Sequence, residues 1–313
     1  MPNDDAIEFP LLENGLDFIW SAIEHLTTGA TKRDLKYAVL HLGAGVELVL
    51  KERLRRENWK LLFENQGKAS EETYRSGAFP SVRFDTCLER LAAECGVELT
   101  DEDEARLRAI RDKRNRLEHL ALVDSAEAII AVTARALAVM LDFVREELAA
   151  IELSGAEDAV LSQIRAKLPE FDAFVADRSQ SIAPKLKAAY RVLPCPACLQ
   201  DALSVDDGVS CLFCGYTNDG TGAAVDYTTE VLGVNRYDVE KDGADWPIGF
   251  CPACDWEACV DADDRGYLCF HCGETWGAGD FHECGHCGRW IDSDLNDISV
   301  CDQCFERQMQ RDD

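Results

Sequence analysis

Six pairs of cysteines, each with two residues between its members, constrain the C-terminal part of this chain more than any other feature. Of the 15 cysteines in the 313 residues, 13 follow Pro194, and 12 of those belong to the pairs. Two intervening residues let one tight turn place both sulfurs on the same face of a tetrahedron, and a short hairpin brings up the second turn. The spacing predicts three four-cysteine metal sites. Their ligands are Cys195, Cys198, Cys211 and Cys214; Cys251, Cys254, Cys269 and Cys272; and Cys284, Cys287, Cys301 and Cys304.

The lengths between the pairs predict a zinc ribbon at each site. The two pairs of a site are separated by 12, 14 and 13 residues in turn, which suits a short hairpin. Gly215 and Gly273 follow second pairs, where a glycine allows the turn its positive φ. We expect three small β-rich modules at about 193–217, 250–277 and 281–306. Zinc is the expected metal, and rubredoxin-like iron is the alternative. Cysteine fills all four positions, so the metals should be structural.

Four further residues near these sites are alternative ligands. They are Cys259, His271, His282 and His286, and exchange of His282 for Cys284 is the most reasonable substitution. The interpretation that we favour is that all four are packed or surface side chains.

The charge of the chain excludes indiscriminate binding to nucleic acid. There are 32 basic and 59 acidic residues, and the formal net charge is −27. The segment up to Ala150 carries −8 and the remainder −19, to which each four-thiolate zinc centre adds about −2. Non-specific binding depends on basic residues that release counterions from phosphates. An RNA partner must therefore bind a local patch, and the ribbons are better suited to a protein partner or inhibitor.

Cysteine usage and hydropathy together predict a cytoplasmic protein with no membrane partner. Paired thiols of this kind indicate metal ligands in a reducing compartment. We find no apolar run near the ~20 residues of a membrane helix and no pattern typical of a secretory signal.

The first half of the chain has the periodicity of an all-α helical bundle. Apolar residues recur at three- and four-residue spacing, which predicts a helical domain at 1–153 followed by a helical connector at 154–192. The connector is equally well interpreted as the last helix of the first domain. A polar stretch at 58–80 predicts a loop or broken helix, and the fifth helix is apolar enough to be the core helix. The five predicted helices span about 14–26, 33–56, 82–95, 100–122 and 124–151.

The fourth predicted helix contains the densest positive charge of the chain. Within it stands Arg114-Asn115-Arg116-Leu117-Glu118-His119, an arginine followed by a polar residue, with a histidine five positions after the arginine. This motif resembles the signature of the HEPN (higher eukaryotes and prokaryotes nucleotide-binding) family. The resemblance extends to the all-helical domain and to the segment 40–51, which is similar to the family's glutamate-bearing helix and contains Glu47. It covers about the first 150 residues.

The resemblance implies a HEPN-like fold and a metal-independent RNA endonuclease that is active as a homodimer with facing motifs. In such a site His119 would take a proton from the ribose 2′-hydroxyl or give one to the departing 5′-oxygen. Arg114 would hold the scissile phosphate. Asn115 shares a helix face with His119 and would orient the imidazole or the phosphate, and Glu47 would position the arginine or the histidine. The products would carry 2′,3′-cyclic phosphates, and DNA would resist.

Two interpretations of this helix stay open. Arg114 and Glu118 also have the spacing of an ordinary surface ion pair, and a run of arginines is often a solvated face. Our first hypothesis is an RNA endonuclease of the toxin or phage-defence kind, with zinc ribbons that select a substrate or partner. The alternative is a non-catalytic, dimeric interaction or ligand-sensing protein with the same two parts.

Overall fold

The chain folds into two compact units. The computed structural model describes residues 7–27, 30–148, 153–206, 208–242, 246–262, 266–287, 289–293 and 300–309. The first unit is Met1–Ser181 and the second is Ile182–Asp313. Helices dominate the N-terminal part, and small antiparallel sheets lie in the C-terminal part. This confirms the predicted helical and β-rich halves.

The first unit is built from α-helices with short 3-10 and π segments. The α-helices are α1 (Leu11–Thr27), α2 (Lys32–Glu57), α3 (Glu71–Ser76), α4 (Phe84–Cys95), α5 (Asp101–His119), α6 (Ala126–Phe143), α7 (Gly155–Lys167) and α8 (Asp172–Ala188), whose last turns enter the second unit. Side-chain caps fix several of the helix starts, because each satisfies a backbone N–H that has no partner inside the helix. Thr31 and Asp34 form a capping box at α2, while Thr100 caps α5 and Ser125 caps α6.

Helix α2 occupies the centre of this unit and contacts α1, α4, α5 and α6. Its buried residues run along nearly its whole length, from Leu35 to Leu54, and lie on several faces. Glycines let α1 approach closely: a Cβ on Gly45 would lie 2.8 Å from the carbonyl oxygen of Gly15. The sequence indicated the fifth helix as the core. That helix, α6, is buried mainly in its second half, from Thr133 onward.

The polar stretch at 58–80 forms a broken helix, as expected. It consists of 3-10 turns at Trp59–Leu62 and Gln66–Lys68 followed by α3. Aromatic rings hold these short pieces together: Phe63 stacks on Phe79 at 3.8 Å between centroids, and Trp59 lies 5.0 Å from Tyr74. This packing acts together with backbone hydrogen bonds, from the Glu64 N–H to the Pro80 carbonyl and from the Val82 N–H to the Leu62 carbonyl.

The connector contributes helices to the first unit. α6 continues into a π-helical segment, Val144–Leu148, and its predicted end near residue 151 lies outside the described residues. A 3-10 turn at Leu168–Glu170 separates α7 from α8, and α8 passes through Pro184 without a break. The buried guanidinium of Arg178 in α8 forms two hydrogen bonds, of 2.6 and 2.7 Å, with the carboxylate of Asp142 in α6. This bidentate ion pair ties the connector to the bundle.

The described residues of the second unit form three small antiparallel sheets. Each of the first two sheets has four strands that are hydrogen-bonded in chain order, and the third sheet is a pair of strands. Helix α9 (Gly220–Glu230) and helix α10 (Arg236–Asp242) lie between the first two sheets in sequence, and α11 (Asp302–Met309) follows the third. The strands of the first sheet are β1 (Leu193–Pro194), β2 (Asp201–Ser204), β3 (Val209–Cys211) and β4 (Thr217–Asn218). Those of the second are β5 (Ile248–Phe250), β6 (Glu257–Asp261), β7 (Tyr267–Cys269) and β8 (Thr275–Trp276). The third sheet pairs β9 (Phe281–Glu283) with β10 (Trp290–Asp292).

Helix α9 packs the segment between the first two modules against the second sheet. Its Tyr227 ring lies 5.0 Å from Phe270, and Ala223 and Ala224 are fully buried. The approach is close, since a Cβ on Gly220 would lie 2.8 Å from the Cα of His271. The apolar content of this linker therefore serves packing on a neighbouring module.

The third module differs from the predicted ribbon. Its first cysteine pair follows β9 in a turn before β10, but the second pair, Cys301 and Cys304, lies at the start of α11. Residues 294–299, where the ribbon prediction places most of the connecting hairpin, lie outside the described residues. Two residues between ligands fit a helical turn as well as a tight loop, because positions i and i+3 share a helix face.

Within the described residues, no helix is long and apolar enough to cross a membrane.

Candidate metal centres and the Arg114 site

The twelve cysteines form three groups of four sulfurs, as the sequence predicts. Within each group all sulfurs lie within 4.8 Å of one another. Cys195–Cys214, Cys251–Cys272 and Cys287–Cys301 are each 3.7 Å apart. A tetrahedral ion with metal–sulfur bonds of ~2.3 Å requires sulfurs about 3.8 Å apart, whereas a disulfide holds them at ~2.05 Å. Each cluster can therefore hold one metal ion, with a geometry common to structural zinc and rubredoxin-like iron.

Five of the six cysteine pairs adopt the same loop, in which the N–H of the first cysteine donates to the carbonyl five residues later. These bonds run from Cys195 to Gln200, Cys211 to Tyr216, Cys251 to Trp256, Cys269 to Glu274 and Cys284 to Arg289. In four of these loops the residue after the second cysteine has a positive φ, at Leu199, Gly215, Asp255 and Gly273. Glycine suits this conformation, and Leu199 and Asp255 adopt it at a cost of about 1 kcal/mol each.

Backbone N–H groups inside these loops point at the sulfurs. The Ala197 N–H donates to Cys195 Sγ at 3.4 Å, the His271 N–H to Cys269 Sγ at 3.4 Å and the Cys214 N–H to Cys211 Sγ at 3.5 Å. From outside these loops, the Cys301 N–H donates to Cys284 Sγ at 3.3 Å. Such bonds stabilise the negative charge of a metal-bound thiolate. The loops thus provide both the ligands and the dipoles that support them.

The alternative ligands lie outside the three sulfur groups. Cys259 is buried in β6 opposite Cys269, and burial raises the pKa of its thiol. The ring of His271 stacks on Trp256 at 4.3 Å, and His282 Nδ1 lies 3.2 Å from the Ser293 hydroxyl. These contacts agree with the favoured interpretation of packed side chains.

Helix α5 presents Arg114 to the centre of α2. Arg114 Nη1 donates to Glu47 Oε2 at 2.8 Å, and its Nε donates to Glu118 Oε1 at 3.1 Å. The other oxygen of Glu47 accepts from Lys51 Nζ, which also donates to the Ser81 hydroxyl at 2.9 Å. Lys51 is only 7% exposed. Arg114 is therefore oriented by a carboxylate that is itself held by a buried ammonium.

Gly43 provides the space that Arg114 occupies. A Cβ at this position would lie 2.8 Å from Arg114 Cδ and 3.0 Å from its Cβ. Sequence reasoning missed Gly43 and Lys51. The available signals were a glycine in a helix interior, where it costs up to ~1 kcal/mol relative to alanine, and the i,i+4 spacing of Glu47 and Lys51.

The pKa of Glu47 depends on the balance between burial and the contacts with Lys51 and Arg114. Burial raises the pKa of the carboxyl, but hydrogen bonds and charge from Lys51 and Arg114 outweigh burial and hold the pKa below its ordinary value of 4.5. Glu47 is therefore an anion at neutral pH and acts as a fixed acceptor for Arg114.

Asn115 and His119 lie on the exposed side of the same helix. His119 is the last residue of α5, and the following N–H, of Leu120, donates to the Arg116 carbonyl at 2.8 Å. Among the described residues no hydrogen bond links His119 to Arg114 or to Glu47. The structure therefore brings together Arg114 and Glu47, and it leaves Asn115 and His119 accessible from outside the protomer.

Ion pairs neutralise much of the positive charge of α5. The helix contains six acidic and six basic residues. Acidic side chains from α4, from the loop before α6 and from α5 itself reach its cations. The pairs include Arg106 with Glu102, Arg108 with Glu104 and Asp85, Arg111 with Asp85 and Asp112, and Lys113 with Asp124. The basic patch expected from sequence is consequently much weaker than its arginine count indicates.

An apolar surface adjoins His119. Leu120 is 78% exposed and Val123 is 87% exposed, both in the loop between α5 and α6. Beside them lies a cavity of about 600 Å³ between α2, α5 and α6. Its apolar lining comes from Leu35, Leu117, Leu122, Ala126 and Ile129. The end of the motif helix thus combines a projecting apolar loop with an apolar hollow.

Comparison of the chain with protein-family models, with curated proteins and with solved structures gives no match.

Metal content provides a direct test of the sulfur clusters. We expect three tetrahedrally bound metal ions per chain, measured by inductively coupled plasma mass spectrometry after gel filtration. Cys195→Ser should lower this number to two or fewer, because a cluster of three sulfurs loses most of its affinity. Cys259→Ala is the matched control and should keep all three. Loss of an ion in that control, or full occupancy in Cys195→Ser, would contradict the ligand assignment.

The Glu47 bridge predicts a pH-dependent stability difference. A carboxyl with a lowered folded-state pKa stabilises the protein above its unfolded pKa, and this contribution is lost as the pH falls through the folded value. Glu47→Gln should therefore cost about 1–3 kcal/mol at pH 7, since it leaves Lys51 with a weaker partner. The cost should shrink at pH values below 4.5.

Thermal melts followed by far-ultraviolet circular dichroism will measure this difference. Glu71→Gln is the control, because Glu71 and its partner Arg75 are both more than 70% exposed. That variant should differ from wild type by less than about 0.5 kcal/mol at every pH. A Glu47→Gln defect that stays constant down to pH 3 would exclude the carboxylate charge as its cause.

Proposed function

We propose that this chain is a metal-independent RNA endonuclease in which Arg114, Asn115 and His119 act on the substrate and Glu47 positions Arg114. The observation that carries the proposal is the setting of Arg114: Gly43 makes room for it and Glu47, held by Lys51, orients it. An arginine that only solvates a surface needs neither. The resemblance to the HEPN family supports the same assignment through the motif from Arg114 to His119.

The proposed reaction uses the groups that α5 exposes. Arg114 engages Glu47 and Glu118 through Nη1 and Nε, so a phosphate oxygen would bind at Nη2. The ribose 2′-oxygen attacks phosphorus and its proton passes to an imidazole, while the bond to the 5′-oxygen breaks and that oxygen takes a proton. The products are a 2′,3′-cyclic phosphate and a 5′-hydroxyl. Asn115, one turn before His119, is placed to orient the imidazole or the phosphate.

A homodimer would supply the acid and the base from separate copies of His119. The projecting Leu120 and Val123 lie beside an apolar cavity on the same protomer. An isologous interface needs such self-complementarity, because each surface then meets its own counterpart. Docking the loop of each copy into the cavity of the other would bring the two motif helices together and remove exposed apolar surface from water.

In this proposal the three clusters hold structural zinc, and the second unit selects a partner or substrate. Zinc fits four thiolates with no open position. The strong negative charge of this half favours a protein partner or inhibitor over bare RNA. A toxin or phage-defence nuclease acting in the cytoplasm matches this combination of a conditional nuclease and a recognition module.

A second candidate is a non-catalytic dimeric protein that assembles a complex or senses a ligand. The observation in its favour is the pairing of the α5 cations with acidic residues, which weakens long-range attraction to RNA. This candidate shares the dimer and the metal sites with the first. Cleavage of RNA is what separates the two.

The nuclease proposal predicts that purified protein cleaves RNA in buffer without added metal. His119→Ala and Arg114→Ala should each lower the rate by at least about 100-fold, because each removes a group that acts in the transition state. Arg106→Ala is the matched control on the same helix, since Arg106 pairs with Glu102 away from the motif. It should retain the wild-type rate.

The products and the substrate range give further readouts. Mass spectrometry should find 2′,3′-cyclic phosphate ends, and DNA of the same sequence should stay intact. Chelators should be avoided in this assay, since they strip the clusters and unfold the second unit. An inert wild type, or a His119→Ala variant as active as wild type, would favour the non-catalytic candidate.

The proposed dimer predicts a change of mass on replacement of the projecting loop. Wild type should sediment with twice the chain mass, and the double variant Leu120→Asp/Val123→Asp should sediment as a monomer with its cleavage rate reduced in parallel. Phe9→Asp is the control, because Phe9 is an exposed apolar residue elsewhere in the first unit. A dimer that tolerates both aspartates would place the interface on another surface.

A further inference from the structure

The second unit contains a cavity that none of the metal clusters uses. It has a volume of about 480 Å³ and is lined by residues of β5, β6, β7, β9 and β10 together with the segment before β5. Besides Pro247, Ile248, Gly249 and His282, the lining consists of four aromatic residues and two carboxylates. These are Trp246, Tyr267, Phe281 and Trp290, with Asp261 and Glu283.

The rings of Tyr267, Phe281 and Trp290 pack against one another. The Tyr267 centroid lies 4.4 Å from Phe281 and 5.1 Å from Trp290, and the Tyr267 and Trp290 planes meet at 63°. Gly249 in β5 allows the Trp290 ring to lie against the strand, since a Cβ there would be 3.0 Å from Cε3 of the indole. The three rings are therefore fixed by packing on one another and on β5, beside the cavity that they line.

The charge of the cavity is negative. Asp261 pairs with Tyr267 across β6 and β7, and Glu283 is exposed at the surface of β9. Among the described residues that line the cavity there is no lysine or arginine. Aromatic faces and carboxylates both favour positive charge, so the site is complementary to a cation.

The second unit also contains contacts between cationic side chains and aromatic rings. The guanidinium of Arg236 lies 5.9 Å from the Trp246 ring centre, and that of Arg289 lies 4.6 Å from the Phe250 ring. Neither arginine lines the cavity. Aromatic rings near the cavity are therefore used for binding cations within the protein itself.

We propose that this cavity binds an N-methylated, quaternary ammonium group. A metal ion would require a cage of several oxygen ligands, whereas this cavity combines two carboxylates with four aromatic rings. An unmethylated ammonium is strongly hydrated and must give up water to enter. A quaternary ammonium presents weakly hydrated methyl groups to the rings and keeps its charge beside Asp261 and Glu283. This proposal is independent of RNA cleavage.

The group has two sources, a free small molecule such as choline or a trimethylated lysine side chain of another protein. The methylated cation is common to both ligands, and the residues that line the cavity would contact only that cation. Separate probes distinguish the two.

Calorimetric titration of the full, metal-loaded chain tests the proposal. Choline should bind with a Kd of the order of 1 mM, and its neutral isostere 3,3-dimethylbutan-1-ol should bind at least about 10-fold more weakly. A short peptide with trimethyllysine is compared with the same peptide carrying lysine. Binding of choline and of the methylated peptide indicates recognition of the head group alone. Binding of the methylated peptide without choline indicates a protein-borne ligand.

Variants assign the binding to the cavity. Glu283→Gln should weaken choline about 3- to 10-fold, and Glu257→Gln is the matched control, because Glu257 is exposed on β6 but does not line the cavity. Trp290→Leu should weaken it further, while Trp290→Phe should restore part of the affinity. Metal content of three ions per chain serves as the folding check for each variant.

Three results would overturn the proposal. One is the absence of any heat change with both choline, up to 50 mM, and the trimethyllysine peptide. Another is equal binding of whichever methylated ligand binds and its matched unmethylated or neutral control. The third is an affinity that stays the same in Glu283→Gln and in Trp290→Leu when both variants retain their metal.

Discussion

The constraint on which the second unit depends is the convergence of twelve sulfur atoms into three groups of four. Its strands are two to five residues long, and sheets of this size bury too little apolar surface to fold alone. Ionised thiols at 3.7 Å would repel each other, and a cation at the centre of each group would remove this repulsion. Once the ligands are fixed, the loops between them are free to carry recognition. The aromatic cavity is lined mainly by the strands next to the ligand loops, β5 to β7 and β9 to β10.

The first unit depends on close packing of helices instead. Gly15 and Gly45 let α1 approach α2 closely, and Gly43 lets the Arg114 side chain of α5 lie against α2. The backbone spacing that stabilises the bundle thus also determines where Arg114 can lie. Lys51 completes this arrangement, because a buried ammonium needs an anion and Glu47 is the anion that can also reach Arg114. Stability and the orientation of the candidate site therefore share the same residues.

The sequence predicted the parts that local chemistry controls. Cysteine spacing identified the sulfur groups, and Gly215 and Gly273 marked turns of positive φ. The sequence did not predict the contacts between distant segments of the chain. The pair Cys301 and Cys304 has the same spacing on a helix as in a loop, so its place in α11 could not be read from spacing. The arginines of α5 predicted a basic face, but acidic partners such as Asp85 and Asp124 come from other elements and neutralise it.

The three sulfur groups are buried to different degrees, and this gives them an order. All four cysteines of the first group are buried, whereas the second has one exposed and one half-buried member. In the third, Cys287 is exposed and Cys304 is half-buried. Peroxide attacks accessible thiolates first, and the buried sulfurs react only after local opening. Oxidative damage would therefore begin at the second and third groups, releasing metal there while the module that follows the helical bundle is still intact.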